Sequence, residues 1–166
     1  LLQQRSVKGK TMPAEYALQV SQIEQFPEQL AKTLDGLSET QVSTVTSADI
    51  WTIQQIVHHI ADSHMNAFIR MRLLLTENHP TIKPYDQDAW AALADVKTVS
   101  VAVSLALITA LHTRWAAMMS ALSSSEWERT GMHPEYGAIS VASMVASYAR
   151  HGNDHIAQIE RVKAAL

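Results

Sequence analysis

The chain has 166 residues, 47% hydrophobic and 17% charged, a balance that suits one globular domain with a sizeable core and excludes intrinsic disorder. A net charge of −3 with no basic run gives no footing for nucleic acid, and no apolar run is expected to reach the length of a membrane span. Cysteine is absent, which removes disulfides, thiolate metal sites and a cysteine nucleophile, so any thiol chemistry must use a thiol supplied from outside. Residues 1–12 read as a leader or disordered N-terminus before a single domain over 13–166. Leu1 and Leu2 give way at once to polar and basic residues, so no secretory signal is expected.

Five glycines and five prolines interrupt the chain, and no alternating run suggests strands, so the reading is all-α. A first helix is expected from about Pro13 to Leu37, with Ile23, Phe26, Leu30 and Leu34 inward and Pro27 kinking or dividing it. The Ser- and Thr-rich stretch from Ser38 to Ile50 reads as a connection. Thr52 and Gln55 form a capping box that opens a second helix running to about Leu75. Its inward face holds Ile53, Ile56, Val57, Ile60, Ala67, Met71 and Leu74. His59 lies on the flank of that face, His64 within it, where it rivals His59 as a ligand but reads first as a buried structural histidine, and His58 on the far side, where exposure is expected. Asp62, one turn after His59, could orient that ring or simply face solvent.

Pro80 and Pro84 break the helix, and Asp86 can cap a short one carrying Trp90 and Leu93. That segment could cover one end of the molecule, with Lys83 and Tyr85 meeting a ligand, or be an ordinary rigid loop. A third helix is expected from about Val99 to Leu122, with Val101, Leu105, Ile108, Leu111, His112, Trp115 and Met119 on one face. His112 is read there as core packing, with pocket lining second. Ser123 and Glu126 offer a capping box for a brief turn around Trp127, and Thr130 to Ile139 reads as a connection holding His133. Ser140 then caps a fourth helix that continues to the end. Gly152 inside it costs about 1 kcal/mol relative to Ala and so signals a close approach.

Within the fourth helix the stretch YARHGNDHIAQIE, from Tyr148 to Glu160, carries His151 and His155 four residues apart. At 3.6 residues per turn both rings share one face, one turn apart, and can reach a single ion. Val141, Met144, Val145, Ile159 and Val162 mark the same stripe as inward, where an unpaired polar atom is costly. Two core histidines satisfied by hydrogen bonds remain the alternative on spacing alone. Four amphipathic helices joined by uneven connections give a four-helix bundle, and such bundles build metal sites from facing helices. The candidate ligands are His59, His151 and His155. Three neutral imidazoles suit one divalent cation and leave positions open for substrate, while the lack of inward carboxylates argues against a di-iron cage.

The stretch WTIQQIVHHIADSHMNAFIRMRLLLTENHPTIKPYDQDAW, from Trp51 to Trp90, closely resembles the YfiT branch of the DinB-like superfamily. So do ALHTRW at Ala110 to Trp115, HPEYGAIS at His133 to Ser140 and YARHGNDHIAQI at Tyr148 to Ile159. The resemblance implies a four-helix bundle of up-down-down-up topology with short extra helices in its loops, forming a homodimer in the cytoplasm. It also implies one divalent metal, zinc or nickel before iron or manganese, held by one histidine of the second helix and two of the fourth. By motif match those are His59, His151 and His155. Relatives often carry further histidines where Asn153 and Asp154 stand here, and a glycine-containing turn where Ala48, Asp49 and Ile50 stand.

Relatives in the superfamily include transferases of the bacillithiol type, and such an activity is placed first, ahead of the hydrolase label this branch often carries: the metal activates a low-molecular-weight thiol for attack on an electrophile. The chain needs neither a strong base nor a cysteine for that. The alternative is a hydrolase using metal-bound water, which wants a proton-transfer partner. Asp62 and Asp154 are the candidates, with Glu160 behind them, and none shares the inward face of the histidines. A non-catalytic metal-binding bundle is the third reading.

Overall fold

Four long amphipathic helices carry the architecture, and the sequence marks where each begins. The computed structural model describes residues 12–166. The leader expected over 1–12 therefore lies, apart from Met12, outside the described residues. After a 3-10 turn at Ala14–Tyr16 come α1 (Ala17–Leu34), α2 (Glu39–Ser43), α3 (Ile53–Thr76), α4 (Gln87–Ala91), α5 (Ala94–Thr98), α6 (Val101–Ser120) and α7 (Ser124–Trp127). A hairpin of β1 (Thr130–His133) and β2 (Gly137–Ser140) precedes α8 (Val141–Lys163). The capping box expected at the head of α3 forms: Gln55 N–H donates to Thr52 Oγ1 at 3.1 Å while Thr52 N–H donates to Gln55 Oε1 at 3.0 Å. Ser140 and Ser143 exchange the same pair of bonds at the head of α8.

The long helices meet in a ring in which α1 and α3 each pack against α6 and α8. Helices consecutive in the chain (α1 and α3, then α6 and α8) therefore sit on diagonals. Two apolar clusters divide the core along the bundle axis. One gathers Val20, Ile23, Met71, Leu74, Trp115, Met119, Val141 and Val145, and the other Phe26, Leu30, Ile53, Ile60, Ile108, Ile159 and Val162. Going along the chain, α1 and α8 run from the first cluster to the second, and α3 and α6 run the other way. That is an up-down-down-up bundle. Because α3 and α6 are parallel, the chain must travel back along the bundle between them, which explains the long segment of residues 77–100 with its two short helices.

Four expectations need correction. Pro27 does not divide α1, which continues past it to Leu34. The connection at 130–139 is an antiparallel hairpin, with Thr130 opposite Ser140 and His133 opposite Gly137. It escaped the helical reading because four-residue strands are too short to show alternation. His58 is buried rather than exposed, since the returning segment covers that side of α3. It bonds to Ser104 Oγ at 2.7 Å and to the Val99 carbonyl at 3.0 Å. Finally, α6 is long and apolar enough to cross a membrane by length and composition, with a mean hydropathy of 1.4. Its inner face packs in the bundle through Ile108, Leu111, Trp115 and Met119, while Val103 and Leu107 face outward.

Candidate metal centre

The two apolar clusters are separated by a layer of imidazoles at mid-bundle. His64 and His59 descend from α3, His112 from α6, and His151 and His155 from α8. His59, His64 and His112 are buried and the α8 pair is half-buried. His59, His151 and His155 each offer one ring nitrogen, and these three atoms lie within 4.8 Å of one another. The Nε2 atoms of His151 and His155 are 3.1 Å apart. The remaining side of the layer is also histidine. His151 Nδ1 is 3.1 Å from His64 Nε2, His64 Nδ1 is 2.7 Å from His112 Nε2, and His112 Nδ1 bonds to the Ile23 carbonyl.

Burial keeps these rings uncharged. It pushes His59 down to about 4, helped by the neighbouring His155, and His151 down to about 3, helped by His155 and His59. His155 is lowered by burial too, against the opposing pull of its hydrogen bond to Gln158 and the charge of Asp154. A neutral imidazole carries one bare lone pair, the form that binds a metal. Three such rings converging on one point fit a borderline cation of the zinc and nickel kind, and no charge of their own opposes it.

Gln158 Oε1 lies 2.7 Å from His155 Nδ1, so it accepts that N–H and turns the Nε2 lone pair inward. Trp51, at the mouth of α3, stands edge-on to His59 with 5.0 Å between ring centres. Two spaces open beside the layer. A cleft of about 380 Å³ is lined by His59, His155, Asp49 and Asp88. A larger cavity of about 740 Å³ is lined by Arg70, Tyr85, His133, Glu135 and Tyr148. His151 borders both.

The structure brings His59, His151 and His155 together and leaves the expected carboxylates elsewhere. No carboxylate of the described residues hydrogen-bonds any of the three rings. Asp62 does not orient His59. It is half-buried near His58 and Asp95, and its carboxyl is raised by burial first and by Asp95 second. Asp154 is exposed on the outer side of α8, and Glu160 is exposed and pairs with Lys163 at 3.1 Å. Tyr85 lines the larger cavity, its hydroxyl raised mainly by burial, whereas Lys83 is exposed and offers its carbonyl to Arg70 at 2.6 Å. Sequence reasoning missed Gln158, Arg70 and the bond between His64 and His112. The i+3 spacing of Gln158 from His155 was the one signal available for any of them.

Residues 22–159 match the DinB superfamily. A protein of Oceanobacillus iheyensis is 44% identical over 140 residues, 84% of this chain and 81% of that protein. One of Bacillus mycoides is 40% identical over 147 residues, 89% of this chain and 84% of that protein. Both carry the provisional name of metal-dependent hydrolase. Among solved structures, YfiT from Bacillus subtilis is 35% identical with a TM-score of 0.87, covering 93% of this chain and 89% of its own. It is described as a probable metal-dependent hydrolase with an unusual four-helix bundle topology.

Proposed function

This chain belongs to the DinB superfamily, and on that premise we propose that it is a metal-dependent enzyme of the thiol-transferring kind. His59, His151 and His155 hold one divalent cation, zinc or nickel before iron or manganese. The observation that carries the reading is three uncharged imidazoles converging beside two open spaces, with no carboxylate bonded to any of them. When bound, the cation lowers the pKa of a nucleophile that joins it. The rings hold the reacting centre at mid-bundle, and Gln158 fixes the direction of His155. A thiol, with an ordinary pKa of about 8.5, needs little further help to lose its proton, so a site without a placed base suits it better than it suits water. The larger cavity lies in the size range of small-molecule sites, and Arg70 and Tyr85 give it polar groups for a charged or hydroxylated ligand.

Hydrolysis is the second reading. Asp49 and Asp88, both exposed, line the smaller cleft with His59 and His155 and offer carboxylates from loops. The names of the relatives favour it as well. Metal analysis of the purified protein followed by thiol consumption with monobromobimane separates the two. Metal-dependent thiol loss that vanishes in His155→Ala supports the transferase, and thiol loss indifferent to that change ends it. Turnover of an ester or amide that stops with chelator would establish the hydrolase instead. We extend the proposal to assembly. The outward face of α6, with Val103 60% and Leu107 43% exposed, pairs with a second copy of the chain.

A further inference from the structure

The imidazole layer contains two histidines, His64 and His112, that the proposed metal site does not use. Their hydrogen bonds form a series with a fixed direction, and the direction is set by a proline. In α1 the carbonyl of Ile23 would accept the N–H of residue 27, four positions on, but that residue is Pro27 and has none. The freed carbonyl is met by His112 Nδ1. A carbonyl can only accept, so His112 carries its proton on Nδ1 and presents a bare Nε2. That Nε2 faces His64 Nδ1 at 2.7 Å, so His64 must donate from Nδ1 and leave its own Nε2 bare. His64 Nε2 faces His151 Nδ1 at 3.1 Å, so His151 donates from Nδ1 in turn. What remains is the lone pair on His151 Nε2, pointing at His155 Nε2 and away from the core.

The two links made by His112, to the Ile23 carbonyl and to His64, are protected from competition by water. His64 is fully buried and His112 1% exposed, while the Phe26 ring lies against both at 5.3 and 5.5 Å. The other tautomer of His151 would set N–H against the cation and leave two bare nitrogens facing each other at the His64 contact, at the cost of a buried unmade bond.

We propose that His64 and His112 are positioning residues: anchored on the Ile23 carbonyl that Pro27 releases, they fix His151 as its Nδ1–H tautomer and so aim its Nε2 at the cation. This rests on the reading of His59, His151 and His155 as the metal ligands. Two measurements on the full chain test it. Long-range proton–nitrogen correlation spectra of the metal-free wild type report which ring nitrogen bears the proton. All three of His112, His64 and His151 should carry it on Nδ1. Zinc affinity by competition with a chromophoric chelator should fall roughly 10- to 100-fold in His64→Leu, which keeps the packing and removes the acceptor. His64→Gln, able to accept from His151 and donate to His112, should recover most of it, which a merely structural role would not predict. His112→Leu, which frees the far end of the series, should weaken zinc in the same sense and serves if His64→Leu does not fold. A wild-type His151 protonated on Nε2, or zinc bound equally tightly by wild type and His64→Leu, would overturn the proposal. Wild-type protein that takes no zinc at all would instead overturn the metal reading beneath it, so the two failures are told apart.

Discussion

Among the described residues, five histidines share the middle of this bundle without a carboxylate bonded to any of them, and this makes the metal-free protein sensitive to acid. His112 shows the effect most cleanly because it is buried and lies outside the proposed ligand set. Burial pushes it down to about 4, against an opposing pull from the Ile23 carbonyl. An unfolded histidine titrates near 6.5, so between about pH 6.5 and 4 the unfolded chain binds a proton that the folded chain refuses. Stability therefore rises with pH through that window and levels off above it. At pH 5 this ring alone costs about 2 kcal/mol, and His59 and His151 act in the same direction. Urea unfolding of metal-free protein at pH 5 and pH 7.5 should show it, and equal stability at the two values would contradict the argument. At this scale His151 and His155 could be read from the sequence because helical spacing alone places both on one face. The bond between His64 and His112 could not, because it depends on which helices become neighbours, and the use of Pro27 depends on that bond.

Among the elements, α1 and α8 come close only because Gly152 lacks a side chain. A Cβ built there would stand 2.7 Å from Phe26 Cδ2 and 2.8 Å from Cε2, closer than packed atoms approach, and Phe26 is buried. Gly152→Ala gains up to about 1 kcal/mol of helix propensity but must displace that ring, an overpacking cost of roughly 1–3 kcal/mol. The net expectation is destabilisation of up to about 2 kcal/mol, read as a lower thermal midpoint. Because Phe26 also touches His64 and His112, zinc affinity should drop with it. A higher midpoint with unchanged affinity would show that the ring yields freely. The helical periods of α3 and α8, the capping box of α3 and the Ser140 cap of α8 were written plainly in the sequence, since these signals are local. The hairpin and the burial of His58 were not. The first is too short to show a period, and the second follows from the return of the chain over the outer side of α3, a tertiary fact that no helical wheel contains.

Across the whole molecule the arrangement of the helices decides what a metal ion would do. The up-down-down-up order places α3 and α8 as antiparallel neighbours, while the chain between them runs through α6 and the hairpin. One ligand from α3 and two from α8 would therefore tie together two segments about 90 residues apart in sequence, a clip that exists only once the fold has brought them together. The same order leaves the apolar outer face of α6 free, so a charge there should act on assembly and not on the site. Val103→Glu is expected to shift light-scattering mass from two chains to one while leaving zinc binding intact, and a wild-type mass of one chain would rule the pairing out. Zinc itself should act through the fold. At a free concentration 100 times its Kd it adds about 2.7 kcal/mol, provided the unfolded chain does not bind it. For a chain of this size that raises the thermal midpoint by roughly 5–11 °C. His59→Ala removes the α3 end of the clip and leaves the α8 pair in place, so it should abolish most of the rise while changing the metal-free midpoint little. If His59→Ala keeps the full zinc-induced rise, the ion is bound by α8 alone and does not join the two helices.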